Sequence, residues 1–303
     1  MSFHRDFNDK IAFEAWNARR LPAYKTIAVT PISPTLGAEI RGVDLSKEVP
    51  ADQLAEIDRA FAEHLVLAFR GQEIGAEDQK RFGRHFGLLH RHVLAKSKAL
   101  SSMGEDPEIL AWHTDKESRN TAGDAWHHDV SCDTNPIWVS LLRLLKLPEG
   151  GGGDTVFANQ YLAYESLSDR LKTFLDGLTA IHDGASAWTA GYGAQPEPGK
   201  TFPSAEHPVI ARHPVTGRKF LFVNAAFTTR IPQLTRAESD AVLELLFRHI
   251  ERNPSLQTRV HWSADTLLIW DNWATQHHAV WDYYPFERWG ERVSVYRDHG
   301  PQA

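Results

Sequence analysis

The second half of the chain consists of short apolar runs separated by glycine and proline, which limits the folds open to it. From Ile137 onward these runs have the length of strands and are bounded by turn residues, a pattern typical of an all-β core. Two segments show helical spacing instead, Tyr161–Leu178 and Arg236–Glu251, and Thr235 can cap the second. The sequence therefore predicts a mainly β fold with flanking helices.

The first half of the chain mixes strands and helices. Residues 1–25 have mixed charge and no strand pattern, so we interpret them as an N-terminal leader and residues 26–303 as one domain. Gly150–Gly153 could link two domains, but strand signals on both sides favour a tight turn inside one. Gly184–Phe202, rich in Gly, Pro and Ala, indicates a mobile loop over a site. The other predicted elements are strands at Thr26–Thr30, Gly37–Leu45 and Leu65–Arg70 and helices at Ala51–Glu63 and Glu77–Phe86.

Composition narrows the environment and the partners of the protein. The formal net charge of −6 argues against a nucleic-acid partner held by phosphate contacts. Cys132 is the single cysteine, which excludes an intrachain disulfide and suits a reducing compartment. The first ten residues lack the apolar core of a signal peptide, and no apolar run has the length of a membrane span. We expect a cytoplasmic protein without membrane contact; a homo-oligomer is compatible with the sequence.

Histidine and aspartate residues in two distant segments indicate a metal site. His127 and Asp129 form a His-x-Asp pair, and His277-His278 lies far downstream. Two imidazoles and one carboxylate are the protein ligands of non-haem Fe(II) oxygenases, and they leave three coordination positions open. On a strand, His127 and Asp129 would point to one face and His128 to the other. The chemistry alone does not choose between His277 and His278, and the same ligands would suit a zinc hydrolase or a non-catalytic metal sensor.

Further segments accompany these histidines, and together they are specific. They are Leu36–Leu45, Trp126–Val130, Gly152–Thr155, Ala163–Ser168, Glu206–Val209, Leu221–Arg230 and Ile269–Asn272. Through them the chain resembles the taurine dioxygenase (TauD/TfdA) family of Fe(II)- and 2-oxoglutarate-dependent dioxygenases, from about Ile27 to Asp298. The resemblance implies a double-stranded β-helix, or jelly-roll, core. It also implies an oxidoreductase that uses Fe(II), 2-oxoglutarate and O2.

The resemblance assigns the metal ligands and the co-substrate site. The family's iron ligands correspond to His127, Asp129 and His277, because the match includes Thr275-Gln276-His277. The arginine that binds the far carboxylate of 2-oxoglutarate corresponds to Arg288. A guanidinium suits this role because it binds a carboxylate through two parallel hydrogen bonds and stays charged when buried. Thr155 corresponds to the hydroxyl that donates to the same co-substrate.

The resemblance also indicates where the primary substrate binds. Arg292 corresponds to the arginine that grips the anionic head of the substrate, His92 to a histidine that assists it, and Trp188 to an aromatic lid. Val93–Ala95 and Gly123–Ala125 stand where the taurine enzyme has a tyrosine and the polar residues that hold the amine. A buried ammonium without a partner is rejected strongly. We therefore expect a small organic anion with an apolar body (an alkyl or aryl sulfonate, a sulfate ester or a carboxylate) rather than taurine.

Overall fold

Helices and short strands alternate along the chain. The computed structural model describes residues 7–19, 22–92, 106–119, 121, 123–192, 199 and 201–302. The helices in these ranges are α1 (Phe7–Asn17), α2 (Ala51–His64), α3 (Ala76–Phe86), α4 (Gln160–Glu165), α5 (Asp169–Leu175), α6 (Gly184–Tyr192) and α7 (Arg236–Glu251). The strands are β1 (Ala28–Pro31), β2 (Ala38–Arg41), β3 (Val66–Phe69), β4 (Leu88–Leu89), β5 (Ile109–Thr114), β6 (Val139–Lys146), β7 (Thr155–Asn159), β8 (Thr179–Asp183), β9 (Ser204–Pro208), β10 (Ile210–Arg212), β11 (Lys219–Leu221), β12 (Thr228–Arg230), β13 (Gln257–Val260), β14 (Leu267–Asp271), β15 (Thr275–Ala279) and β16 (Arg288–Tyr296).

The strands form one large sheet and smaller sheets around it. The large sheet has the order β1-β2-β3-β14-β6-β16-β4, and β5 pairs with β16 along the same edge as β4. Strands β13-β7-β15 form a second sheet, β12-β8-β9 a third, and β10-β11 a hairpin. Within the large sheet β2 and β3 run parallel, whereas β14 pairs antiparallel with both β3 and β6. This mainly β organisation confirms the predicted fold class.

Strands β3 and β14 in the middle of the large sheet are buried along their whole length because both of their faces are covered. Every residue of β3 and of β14 is buried, as is typical of strands packed on two sides. On one face, Phe82 of α3 packs edge-on against Phe69 with the ring centroids 5.5 Å apart. On the other, Phe157 of β7 packs on Trp270 of β14 at 5.6 Å. The two β-sheets therefore meet at β7 and β14, beside the strand that carries His277.

Helix α7 confirms the prediction of a helix at Arg236–Glu251 and of its cap. The Thr235 hydroxyl accepts a hydrogen bond from the Glu238 backbone N–H at 3.4 Å. In return the Glu238 carboxylate accepts one from the Thr235 N–H at 2.9 Å. This reciprocal pair satisfies two donors that the first turn of a helix otherwise leaves free.

The predicted helix Tyr161–Leu178 is wrong in its middle, where the chain forms two helices. Helix α4 ends at Glu165 and α5 begins at Asp169. Ser168 between them has extended backbone, and its hydroxyl accepts a hydrogen bond from the Leu171 N–H at 3.3 Å. The serine caps a new helix start, which the apolar periodicity alone did not reveal.

The loop predicted at Gly184–Phe202 is wrong in its first half, because Gly184–Tyr192 forms helix α6. Burial explains this: Trp188 is only 2% exposed and packs on Phe202, with the ring centroids 5.3 Å apart. Residues 193–198 and 200 lie outside the described residues. The turn predicted at Gly150–Gly153 is confirmed, since these residues connect β6 to β7 without intervening structure.

The predicted leader contains a helix that packs on the rest of the molecule. Helix α1 contacts α4, and its Trp16 is 5% exposed and belongs to the main hydrophobic core. The Trp16 ring lies against Tyr161 at a centroid distance of 6.3 Å. In the part of the chain that the structure describes, no helix combines the length and apolar character needed to cross a bilayer.

Candidate metal centre

His127 and His277 are held side by side by backbone pairing. They form an isolated antiparallel bridge, in which the His127 N–H donates to the His277 carbonyl at 3.1 Å and the reverse bond measures 2.9 Å. The two imidazole centroids lie 4.0 Å apart. The His127 Nδ1 contacts the Ala125 carbonyl at 2.8 Å, so Nδ1 carries the proton and Nε2 is left with a free lone pair. Such an arrangement is typical of a metal-binding histidine.

The structure corrects the strand predicted for the His-x-Asp pair. Only His127 is paired, and Asp129 lies in a turn that Val130 continues with φ of 50°. The turn still brings both ligand residues to one side. The Asp129 Oδ1 lies 3.7 Å from the His127 Nε2, and Oδ2 lies 3.7 Å from the His277 Nε2. One ligand atom from each of the three residues falls within 4.8 Å of the others, a set that can hold a metal ion.

The neighbouring histidines lie outside this cluster. His128 is fully buried, and its Nδ1 contacts the Asn272 carbonyl at 2.7 Å. His278 is partly exposed, with its Nε2 3.7 Å from the Asp124 Oδ1. The geometry therefore selects His277 over His278, a choice that the sequence made only through the family resemblance.

Two buried side chains that the sequence analysis did not assign to the site hold Asp129 in place. The Ser140 hydroxyl donates to the Asp129 Oδ2 at 2.7 Å. The Asn272 side chain accepts from the Asp129 N–H at 2.7 Å and donates to the Asp129 carbonyl at 2.9 Å and the Ile137 carbonyl at 2.8 Å. Asn272 belongs to the motif Ile269–Asn272, which was the available signal. Ser140 had none, because it stands in an ordinary strand.

Arg292 of β16 forms a buried ion pair with Asp129 through Nη1 and Oδ1. Burial alone would raise the pKa of Asp129, but the Arg292 charge outweighs it and holds this pKa well below its usual range. Burial, with the charge of His127, lowers the pKa of His277 well below its usual range. Asp129 is thus ionised and His277 neutral at physiological pH, which are the forms that bind metal ions.

Arg288 is a buried cation without an acidic partner. It is 2% exposed, and no carboxylate of the described residues lies within 4 Å of its guanidinium. Its Nε has no hydrogen-bond partner, and burial lowers the pKa of the guanidinium. Gly153 has φ of 70°, and a Cβ there would lie 2.9 Å from the Arg288 Cδ, so the turn needs glycine for this approach. Thr155 lies nearby and accepts from the Trp262 Nε1 at 3.2 Å, which leaves its hydroxyl proton free to donate.

One cleft joins the metal cluster to both arginines. Its cavity volume is about 40 Å³, and it lies beside His127 and His277. Thr155 and Arg288 lie in its wall, together with Arg292. The rest of the lining is largely apolar and consists of Leu110, Trp112, Gly123, Leu142, Trp270 and Ala279. Five of the eight predicted site residues therefore line the same cavity. Asp129 does not line it but forms an ion pair with Arg292, which does.

His92 and Trp188, the other predicted substrate residues, are not among the residues that line the cleft. His92 is 7% exposed, which rules out a loop histidine on the surface. Burial and the charge of Arg292 lower the pKa of His92 to about 3, so the ring is neutral. Trp188 belongs to a satellite apolar cluster with Leu110 and Cys132. Leu110 also lines the cleft, so this cluster supports the wall from outside.

Sheets that close around a His/Asp/His cluster, beside a buried arginine with no acid partner, define the class of oxo-acid-dependent non-haem dioxygenases. The family model described as "Taurine catabolism dioxygenase TauD, TfdA family" matches residues 28–294. The chain belongs to this family.

Known relatives agree with this assignment. The chain is 37% identical over 266 residues (84% of this chain, 71% of the relative) to "Alpha-ketoglutarate-dependent dioxygenase cnsP" of Penicillium expansum. It is 34% identical over 272 residues (86% and 82%) to "Alkylsulfatase" of Acinetobacter baylyi. Among solved structures, a putative alpha-ketoglutarate-dependent taurine dioxygenase from Burkholderia xenovorans matches with a TM-score of 0.76 and 34% identity, covering 91% of this chain and 94% of that one.

These findings confirm three predictions. The fold is the jelly-roll, or double-stranded β-helix, of these dioxygenases. The protein is an oxidoreductase, a 2-oxoglutarate-dependent dioxygenase, and the family uses 2-oxoglutarate and O2. The family membership decides against the zinc hydrolase and the non-catalytic sensor, which the ligand set alone had left open.

Proposed function

We propose that His127, Asp129 and His277 hold Fe(II), and that Thr155 and Arg288 bind the far carboxylate of 2-oxoglutarate. Two imidazoles and one ionised carboxylate fit Fe(II), and both histidines line the cleft. When bound, Fe(II) supplies oxidative decarboxylation: one atom of O2 enters succinate as CO2 leaves, and the other hydroxylates a substrate C–H bond. The residues of this chain bind and orient 2-oxoglutarate and the primary substrate, and they exclude water from the site.

The buried, acid-free Arg288 is the observation that carries this proposal. A cation buried at 2% exposure costs several kcal/mol unless it is paired, and the Tyr283 side chain and the charge of Asp154 offset part of this cost for Arg288. A carboxylate ligand removes that cost by forming two parallel hydrogen bonds with the guanidinium. Thr155 stands beside it in the cleft wall with a hydroxyl proton to donate. The wall thus offers the Arg288 guanidinium and the Thr155 hydroxyl as donors to one carboxylate group.

We propose that the primary substrate is a small organic anion with an apolar body. Arg292 uses Nη1 for Asp129, and its Nε has no partner, so donors of the guanidinium remain for a second anion. His92 and Trp188 would support this end of the site from behind. The apolar wall formed by Leu110 and Trp112 suits an alkyl or aryl group.

Sulfonates, sulfate esters and carboxylates share the required chemistry, and one relative carries the name alkylsulfatase. If the hydroxylated carbon bears the sulfate or sulfonate, its new hydroxyl loses a proton and becomes a carbonyl, while the C–O or C–S bond breaks and sulfate or sulfite leaves. Taurine fits poorly, because no carboxylate among the described lining residues is available to its ammonium. We further propose that residues 26–303 are one domain, and that the protein is cytoplasmic, as its single, buried Cys132 suggests.

Substrate-stimulated succinate formation tests the substrate class. Hexyl sulfate, hexanesulfonate and hexanoate would each be compared with hexanamide, a neutral compound of similar length, and with taurine. We expect stimulation by the anions alone. Arg292→Ala should abolish the stimulation, and Arg292→Lys should restore part of it, because lysine keeps the charge but loses the fork.

Arg297→Ala is the matched control, since Arg297 is exposed and stacks on Trp138 away from the cleft. Equal hydroxylation of hexanamide, or taurine as the best substrate, would contradict the proposed substrate class. Absence of any 2-oxoglutarate turnover with Fe(II) under air would contradict the metal and co-substrate assignment itself.

A further inference from the structure

A second cavity lies between the N-terminal helix and the body of the protein. Its walls come from α1, α4 and α5 and from the β10–β11 hairpin, and it opens to solvent. Helix α1 precedes residue 28, where the family match begins. One wall of this cavity is therefore an addition to the part of the chain that the family model covers.

Two arginines converge on the tryptophan at the base of this cavity. The guanidinium carbon of Arg19 lies 3.7 Å from the centroid of the Trp16 ring, and that of Arg218 lies 4.5 Å from it. Arg218 also lies over the Tyr161 ring at 4.2 Å. Stacking fixes the planes of both guanidinium groups and leaves their N–H edges available.

Neither guanidinium has an acidic partner among the described residues. No carboxylate of these residues lies within 4 Å of Arg19 or Arg218. Arg19 donates only to backbone carbonyls, those of Trp16 and Glu63, and no hydrogen bond is made by the side chain of Arg218 within the described ranges. The Glu63 carboxylate, the nearest compensating charge on Arg19, is engaged by the Tyr24 hydroxyl.

The electrostatics of the pair agree with an excess of positive charge. Burial lowers the pKa of Arg19, and the charge of Arg218 lowers it further. Burial likewise lowers the pKa of Arg218. The charge of Glu165 opposes this shift in the pKa of Arg218. Two cations thus lie against one tryptophan ring in a half-buried setting, and an anion bound between them would stabilise both.

The other charged groups of the cavity are one lysine and two carboxylates, which pair with each other and leave one net negative charge. The Lys172 ammonium lies 3.7 Å from the Glu165 carboxylate and 3.9 Å from that of Asp169, and it donates to the Glu165 carbonyl at 2.8 Å. The remaining wall is apolar, with Ile11 and Leu162. The cavity thus presents one cationic pair, an aromatic floor and an apolar side.

We propose that this cavity is a second, non-catalytic site for a small oxyanion, which Arg19 and Arg218 bind together. The ligand carries a phosphate, sulfonate or carboxylate head, and its body packs on the apolar side. Binding joins α1 to the β10–β11 hairpin, so it tightens the N-terminal helix onto the core.

Calorimetric titration of the Fe(II)- and 2-oxoglutarate-loaded protein without O2 tests this site. Phenyl phosphate, benzenesulfonate and benzoate serve as probes that share a phenyl ring and differ in their anionic group. Phenol is the neutral analogue. We expect saturable binding of at least one anion and none of phenol. Arg19→Gln and Arg218→Gln should each weaken it by at least about tenfold, as expected for a lost charge-assisted contact. The anion affinity of Arg218→Lys should lie between those of wild type and Arg218→Gln. Arg248→Gln, at an exposed position on α7, should bind the anion as wild type does.

Aryl anions also suit the cleft beside the metal cluster. Arg292→Ala therefore distinguishes binding in that cleft from binding in the cavity beside α1. Binding that survives Arg292→Ala and is lost in Arg218→Gln supports the proposal. Binding lost in Arg292→Ala and kept in Arg218→Gln overturns it, as does the absence of saturable binding at millimolar ligand. If Arg218→Gln fails to fold, Arg19→Gln and the anion-dependent rise in the wild-type unfolding temperature carry the test.

Discussion

The catalytic cleft and the α1 cavity each contain two arginines, but they balance the charge differently. In the cleft, Arg292 is paired with Asp129, whereas Arg288 has no carboxylate within 4 Å among the residues that the structure describes. In the α1 cavity, neither Arg19 nor Arg218 has a carboxylate within 4 Å among the described residues. The cleft buries its cations between two sheets, and the cavity only half-buries them against an aromatic ring.

The difference teaches how to interpret a buried arginine. A guanidinium paired with a carboxylate of its own chain, such as Arg292, first stabilises that carboxylate in its ionised form. A guanidinium without such a partner, such as Arg288, remains available to an anionic ligand. The extent of burial then sets how much free energy an anionic ligand recovers when it pairs with that guanidinium.

The largest effect is expected from removal of the carboxylate between the two histidines. Asp129→Ala deletes one of three proposed ligands and leaves Arg292 buried without its partner. We expect loss of Fe(II) binding in equilibrium titration and loss of succinate formation. His278→Ala is the control and should retain both. The ligand assignment is wrong if His278→Ala loses metal while His277→Ala keeps it.

Arg288→Ala should produce the next largest effect. Loss of a buried, charge-assisted bidentate contact costs about 2–5 kcal/mol, so the apparent constant for 2-oxoglutarate should rise far more than tenfold. Thr155→Val should raise it less, because one neutral hydrogen bond is lost. Initial rates of succinate formation against 2-oxoglutarate measure both changes. An unchanged constant in Arg288→Ala would refute the assignment.

Asn272→Ala tests the support of Asp129 from its neighbours. Residues that orient metal ligands typically contribute roughly 10- to 100-fold in metal affinity, and we expect a weakening of Fe(II) binding in that range. Asn224→Ala is the matched control: it is also fully buried and donates to Ser131 at 3.0 Å, without contact to Asp129. Equal losses of Fe(II) affinity in both variants would mean that Asn272 acts only through stability.

The smallest effect concerns His64, which ends α2 near Arg19. Burial and the Arg19 charge lower the pKa of His64 to about 4. In the unfolded chain the same group protonates near its ordinary pKa of 6.5, so the unfolded state gains protons first and stability falls as pH drops below this value. Between pH 7 and pH 5 we expect His64 to contribute a loss of about 1 kcal/mol, after discounting solvent screening.

Urea unfolding of wild type and His64→Gln at both pH values measures this contribution. The variant should lose less stability on acidification, by the difference attributed to His64. Identical pH dependence in the two proteins would show that the Arg19 charge and burial do not lower the pKa of His64.

Short-range patterns explain what could be predicted. His127 and Asp129 lie two positions apart, and Thr155 follows a glycine turn that needs its backbone conformation, so each carries a local signal. The helix Arg236–Glu251 was predictable for the same reason, because its cap is encoded in Thr235 and Glu238. By contrast, the apolar spacing over Tyr161–Leu178 and the composition of Gly184–Phe202 did not show where helices start, which capping and burial decide.

By itself the sequence determined the mainly β class and the His127/Asp129 pair, which depend on residue types and on spacing within a few positions of the chain. It assigned His277, Arg288 and Arg292 only through the resemblance to the family. Only the tertiary structure decided that Ser140 and Asn272 hold Asp129, and that Arg292 pairs with it. It alone brought Arg19 and Arg218 to one tryptophan. These contacts join positions far apart in the chain, and their energies depend on burial and distance, which no local pattern specifies.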